Sequence, residues 1–158
     1  MVQISTDTSA LMTPAQGEEL GIGVAPLNVT IAGDTYREMD EIMPKEFIKI
    51  IYAGNLPTSS QPSPGALMEH FEKATEQNPL LHISMADGLS GSYQSACAIR
   101  ETMPNKDYIT VINSATLCGP HRLMVRAAKK LADQGLSIEE ILEKMQSIFD
   151  NHKSFLIP

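Results

Sequence analysis

Apolar positions along this chain recur in two periods, every second residue and every third to fourth, and the two alternate from one end to the other. "VQIS" (2–5) is a short β-prone run. "TPAQ" (13–16) predicts a helix start, with Thr13 as N-cap, Pro14 at the first helical position and Gln16 closing a capping box. Gly21 is the expected stop. In "GVAPLNVTIAG" (23–33) Leu27, Val29 and Ile31 alternate as in a strand with one buried face, and "AGDTY" then turns the chain. "MPKEFIKIIYAG" (43–54) predicts a helix opened by Pro44 and closed at Gly54. The Pro- and Ser-rich "LPTSSQPSPG" (56–65) predicts a shaped loop, whose Ser63-Pro64 pair caps a helix carrying Leu67, Phe71 and Ala74 on one face.

The second half repeats the alternation. "LLHISM" (80–85) is a strand leading into "LSGSYQSA" (89–96), where a helix begins and should carry Tyr93, Cys97 and Ile99 inward. "YITVIN" (108–113) is a strand, and "GPHRLMVRAAKKLADQG" (119–135) a helix closed by Gly135. Ser137 and Glu140 form a second capping box before "IEEILEKMQSIF", and "SFLIP" (154–158) begins a strand. Strands separated by helices predict an α/β fold with a mostly parallel sheet and helices on both faces. The 158 residues make one such domain.

Charge and composition narrow the function. A net charge of −7 argues against nucleic acid or an anionic membrane surface as partner. No window approaches the roughly 18 uninterrupted apolar residues of a membrane span. "MVQISTD" has neither a basic stretch nor a long apolar run, so no signal peptide is expected. Cys97 and Cys118 lie outside any CxxC spacing and read as reduced, largely buried thiols. These features point to the cytoplasm and are consistent with a bacterial one. No cofactor or metal is expected: GxxxxGK[ST] is missing, and Gly21 and Gly23 sit in the wrong context for a dinucleotide fingerprint. His70, His82, His121 and His152 lack metal-ligand spacing and read as surface or core residues.

Ligands of open α/β sheets sit at the carboxyl ends of the strands. Three polar clusters fall there: Thr6-Asp7-Thr8-Ser9, Ser90-Gly91-Ser92 and Asn113-Ser114. The loop carrying Thr58, Ser59 and Ser60 could fold over the same edge. Hydroxyls and backbone N–H groups converging there suit a carboxylate or a phosphate; singly, each would serve equally as a helix cap. "GLSGS" (88–92) also nearly matches the G-x-S-x-G nucleophile elbow, with Ser92 in place of the second glycine. An acyl hydrolase would then use Ser90, with His121 as base and Asp87 as orienter.

Longer stretches resemble the DegV family, whose members bind fatty acids. "LSGSYQSA" resembles the family's LSGTYQSA signature, "PTSSQPSPG" its TSQPSPG loop, and "APLNVTIAGDTYRE" the segment after its first helix. "INSATLCG" stands where the family has an Asp-Ser pair before a helix. The resemblance runs from residue 2 to the end. It implies a long-chain fatty acid in an apolar tunnel, its carboxylate held by hydroxyls at the mouth. The family's carboxylate-binding serine maps onto Ser90, beside Gly91, and its partner from the TS loop onto Thr58 or Ser59, with Ser60 adjacent. The implied partner is a fatty acid kinase that forms acyl phosphate, so this chain would be a carrier and not the catalyst. Met85 and Met103 are candidates to line the acyl pocket.

Several positions depart from the family pattern. Asn113 replaces an aspartate, Ala86-Asp87 a frequent Ser-Ser pair, and Pro120 follows Gly119 in place of a flexible run. The family is about twice as long, and its second domain covers the acyl chain. Residues 1–158 are thus expected to form a DegV-like N-terminal domain without that lid. Such a chain would self-associate as a homodimer through an apolar carboxyl edge, or bind fatty acid much more weakly. A truncated interaction module without ligand is the remaining alternative.

Overall fold

The computed structural model describes residues 1–155. In chain order its elements are β1 (Gln3–Asp7), α1 (Pro14–Leu20), β2 (Ile22–Ala25), β3 (Asn28–Ile31), β4 (Asp34–Arg37), α2 (Pro44–Tyr52) and β5 (Thr58–Ser60). There follow α3 (Pro64–Phe71), β6 (Leu80–Ser84), α4 (Ser92–Thr102), β7 (Ile109–Asn113), α5 (Cys118–Asp133) and α6 (Ile138–Asn151). Local chemistry sets several of the boundaries. Gln16 N–H donates to Thr13 Oγ1 at 3.0 Å, and Thr13 N–H donates back to Gln16 Oε1 at 3.1 Å. Gly21 closes α1 at φ 66, in the left-handed region that favours glycine. Ser137 and Glu140 make the same reciprocal pair at the start of α6.

The main sheet has the order β2-β1-β6-β7, all parallel. Parallel strands need crossovers, and the helices that supply them cover both faces. On one face Ile4, Val24 and Ile83 pack with Met124, Val125, Ile141 and Met145 of α5 and α6. On the other, Leu80 and Ile109 pack with Leu67, Phe71 and Ala96 of α3 and α4. The alternation along β6 assigns Leu81 and Ile83 to the first face and Leu80 to the second. His82 shares the second face and is buried with its ring edge-to-face against Phe71, centroids 5.4 Å apart. Its Nδ1 lies 2.9 Å from Ser5 Oγ. Burial pushes its pKa down to about 3, with His70 and His121 adding to the effect, so the ring is neutral.

A second, antiparallel sheet of order β4-β3-β5 corrects the expectation for residues 23–60. Residues 23–33 are not one strand. Pro26 lacks an N–H, and the chain leaves the parallel sheet there before β3 begins at Asn28. The turn in "AGDTY" occupies only Ala32 and Gly33, at φ 53 and 92, and Asp34 already belongs to β4. Within the Pro- and Ser-rich loop, Thr58–Ser60 pairs with β3 as β5.

Two burial expectations also change. In α4 the buried residues are Ser92 and Ala96, whereas Tyr93, Cys97 and Ile99 are half-buried. Small side chains on the sheet-facing stripe let this helix lie close to β6 and β7. Cys97 is half-buried and Cys118 exposed, so the thiols are not largely buried. The strand expected at 154–158 falls mostly outside the described residues.

Candidate functional site

Strand order reverses between β1 and β6, because β1 leads outward to β2 and β6 leads outward to β7. The connections that leave their carboxyl ends therefore run to opposite sides, which makes this edge the switch point at which open α/β sheets receive ligands. Asp7, the last residue of β1, is buried there. Its Oδ1 accepts from Ser9 N–H at 2.9 Å and its Oδ2 from Met85 N–H at 3.2 Å, so one carboxylate clamps the loops that follow both strands. Thr8 ties in the second sheet. Its hydroxyl donates to Glu38 Oε1 at 2.5 Å and accepts from Leu27 N–H at 3.0 Å.

Beneath this edge lies His121, in the first turns of α5 and fully buried. Its Nε2 is 3.1 Å from the Ile83 carbonyl oxygen, which only accepts, so Nε2 carries a proton. Thr6 Oγ1 donates to the same carbonyl at 2.8 Å and stands 3.1 Å from Nε2, receiving the other branch of that N–H. Nδ1 therefore presents a lone pair, and Ser9 Oγ, 3.0 Å away, donates to it. Burial lowers the pKa of this imidazole, against the opposing pull of the Asp7 charge and the bond to the Ile83 carbonyl.

The rim is formed by the start of α4. Gly91 is its N-cap and provides no side-chain bond to the first turn. Ser92 N–H donates to Ser90 Oγ at 3.2 Å, and the two hydroxyls stand 2.9 Å apart. Gly91 faces the loop from the second sheet: a Cβ there would lie 2.7 Å from Gln61 Oε1. The structure thus brings the Ser90-Gly91-Ser92 turn against the residue that follows Thr58, Ser59 and Ser60. Those three are exposed and alternate in direction along β5. Ser59 is paired with the buried Val29, and Thr58 and Ser60 with Thr30 and Asn28, so Ser59 shares the inward face and its neighbours do not.

On the far side, Asn113 Oδ1 accepts from Ala115 N–H at 2.8 Å and from Asp87 N–H at 3.3 Å. Asn113 therefore braces its own loop. Ser114 is buried and bonds within the same turn, donating to the Thr116 carbonyl at 3.1 Å. Ser84 Oγ, buried at the carboxyl end of β6, has no hydrogen-bond partner among the described residues.

No lysine or arginine is among the buried polar residues of this edge, which are Asp7, Thr6, Thr8, Ser84, Ser92, Ser114, Thr116 and His121. An anion held here would rest on hydroxyls and on the N–H groups opening α4, whose dipole favours negative charge. Among the described residues no group of three or more His, Cys, Asp or Glu side chains could hold a metal ion.

The hydrolase arrangement is not formed. His121 bonds Thr6, Ser9 and Ile83, while Ser90 bonds Ser92 and Asp87 accepts from Gln94 Nε2 at 3.1 Å. Met103 is core filler at the far end of α4, packed with Phe71 and Ile109, so it does not line the mouth. Ser9 and His121 are the site residues whose linkage the sequence did not signal. They lie 112 positions apart, and no local spacing announces the pair.

These features define a doubly wound α/β domain with a hydroxyl-rich edge at its switch point, where none of the described lysines or arginines is buried. The chain belongs to the DegV family, whose profile, described as an uncharacterised protein of the DegV family, matches residues 1–158. It is 35% identical over 156 residues to the DegV domain-containing protein YejH of Lactococcus lactis, covering 98% of this chain and 55% of that protein. A fatty-acid-binding DegV family protein from Thermus thermophilus superimposes with a TM-score of 0.80 at 29% identity, covering 94% of this chain and 53% of the other. The Streptococcus pneumoniae fatty acid kinase (Fak) B3 protein loaded with linoleic acid gives 0.76 at 25% identity, covering 95% and 54%. The chain spans about half the length of the curated relatives it matches. Among the described residues no helix is long and apolar enough to cross a membrane.

Proposed function

We propose that this chain is the head-group-binding domain of a fatty-acid carrier. The carboxylate of a long-chain fatty acid is received at the start of α4 by Ser90 and the backbone beside Gly91. Hydroxyls of the Thr58, Ser59 and Ser60 segment lie across the mouth, Ser59 being the one directed inward. The observation that carries this reading is the rim itself: a helix start whose N-cap, Gly91, has no side chain, beside paired serine hydroxyls at the switch point, with no buried lysine or arginine among the described residues. Such donors hold a carboxylate without the fixed countercharge that a phosphate dianion would call for. The acyl chain supplies affinity at about 0.8 kcal/mol per buried CH₂.

The chain carries no nucleotide-binding motif, so acyl phosphate formation falls to a fatty acid kinase to which the bound carboxylate is presented. Residues 1–158 act as the first of two domains, the second covering the acyl chain. Exposed Leu11 and Leu89 in the carboxyl-edge loops, with Leu123 early in α5, are the apolar surface available to such a lid or to a second copy. A bacterial cytoplasm is the compartment where carrier and kinase would meet.

Native mass spectrometry of the chain purified from cells tests the reading. A bound mass of palmitate or oleate size, diminished in Ser90→Ala with the fold retained, is the expected result. A chain that takes up no fatty acid from added oleate is instead an interaction module, and the carrier assignment is lost.

A further inference from the structure

Neutral His121 determines what Ser9 offers to the switch-point edge. Because the Nε2 proton is committed to Ile83 and Thr6, the Ser9 proton is committed to Nδ1. Ser9 is half-buried in the loop that follows β1, and with that proton committed its hydroxyl has lone pairs and no donor left for a ligand. Lone pairs repel a carboxylate and accept from a carboxylic acid or an alcohol.

We propose that His121 is a positioning residue of the head-group site, which through Ser9 makes carboxylate binding proportional to the uptake of one proton. The inference rests on the proposed fatty-acid function. When the Ser9 proton passes along its hydrogen bond to Nδ1, the serine oxygen takes a replacement proton from the ligand, where it arrives as the acid, or from the hydronium and buffer acid of the bulk solution. Ser9 then donates to the bound carboxylate and accepts from the new Nδ1–H. One proton has been gained, the imidazole has become imidazolium, and no other bond has changed. The carboxylate and the imidazolium face each other across one hydroxyl, which supplies a buried cation where none of the described lysines or arginines is buried.

The groups facing the ring permit this. Asp7 from β1 and the bond to the Ile83 carbonyl of β6 favour the charged form, whereas burial opposes it and His82, being neutral, adds no charge. Arg122, next in α5, is turned to the Leu11 carbonyl at 3.1 Å, and Glu38 is engaged by Thr8 at 2.5 Å. Without ligand, the balance leaves the ring neutral; a second negative charge beside Ser9 shifts it toward imidazolium.

The test uses the full chain labelled with ¹⁵N-histidine, with decanoate as a monomeric probe that stays ionised at neutral pH and decanol as its uncharged counterpart. The free protein is expected to show the Nε2–H tautomer at pH 7. Saturating decanoate is expected to raise the His121 midpoint by at least one pH unit. Decanoate affinity should then strengthen by up to about tenfold per unit as pH falls from 8 to 6, while decanol affinity stays level. Ser9→Ala, at a half-buried position, keeps the fold and should flatten the decanoate profile. An Nδ1–H tautomer in the free protein, a flat decanoate profile, or an equally steep one in Ser9→Ala overturns the inference. Failure of decanoate and oleate to bind at any pH overturns the fatty-acid reading with it, whereas binding with a flat profile overturns this inference alone.

Discussion

Removing the Asp7 carboxylate should separate the two loops that make the mouth. In Asp7→Ala, two N–H groups lose a charged acceptor, at 2.9 Å from Ser9 and 3.2 Å from Met85. A hydrogen bond to a charged partner contributes about 1.5–3 kcal/mol. The half-buried Ser9 amide can turn to water, so its loss belongs at the low end. Met85 is buried, and its N–H is left without a partner, so that loss belongs at the high end. Together the cost is about 3–5 kcal/mol, a large share of the roughly 5–15 kcal/mol that holds a domain folded. Asp7→Asn keeps one acceptor oxygen but turns its NH₂ toward a donor, and should cost about 2 kcal/mol. Urea unfolding followed by circular dichroism measures both, with no tryptophan needed. The expected order of midpoints is wild type, then Asn, then Ala, with unchanged slopes. If Asp7→Ala lost less than about 1 kcal/mol, or Asn were the worse substitution, the carboxylate would not be the clamp.

Acid should weaken the fold through His82: the unfolded chain takes up a proton near 6.5, the folded chain only near 3. The contribution is thus complete above 6.5 and is lost as pH falls toward 3, by up to about 1.4 kcal/mol per unit or about 2 kcal/mol at pH 5; equal urea midpoints at pH 7 and pH 5 would contradict it. Gly17→Ala drives a Cβ to 2.5 Å from the Ile22 carbonyl oxygen, where backbone must move. A net loss of about 1–2 kcal/mol is expected by thermal melt, against little change for Gly88→Ala, which meets nothing within 4 Å. Under the proposed function, Ser59, which shares a face with the buried Val29, is the β5 hydroxyl directed inward, so Ser59→Ala should weaken decanoate binding by about 1 kcal/mol, and Thr58→Ala and Ser60→Ala should not; isothermal titration of the three decides it.

What the residue pattern disclosed was whatever is encoded locally. Thr13 with Gln16, Ser137 with Glu140, and the glycines at 21, 54 and 135 marked helix ends, because a cap is a contact between residues three or four apart. β6 was legible because both faces of a central parallel strand are buried and its run is mostly apolar, and β7, at the edge of the sheet, because its residues are mostly β-branched. The antiparallel sheet was not. Asp34–Arg37 and Thr58–Ser60 are mostly exposed, carry no apolar alternation, and are strands only through their pairing with β3. The rim serines at 90 and 92 stood out as small residues between a strand and a helix. The polar bed under them did not: Thr6, Ser9 and His121 meet across more than a hundred positions, and the histidine looked like an unremarkable core residue or a catalytic base.

The placement of β1 in the middle of the sheet has a consequence for how the switch-point edge comes into being. During synthesis β1 emerges first and finds β2 soon after, but its other neighbour arrives much later. The bonds Ser5 to His82, Thr6 to Ile83 and Met85 to Asp7 each span 77 or 78 residues. Loop closure over that distance is entropically slow compared with forming the local helices. Those same three bonds join the two strands that flank the proposed head-group site. Closing the sheet and assembling that edge are therefore one event: until β6 docks there is a βαβ unit with an open edge. Under the proposed function, a ligand held at that edge stabilises this closure, so binding reports whether β6 has docked against β1.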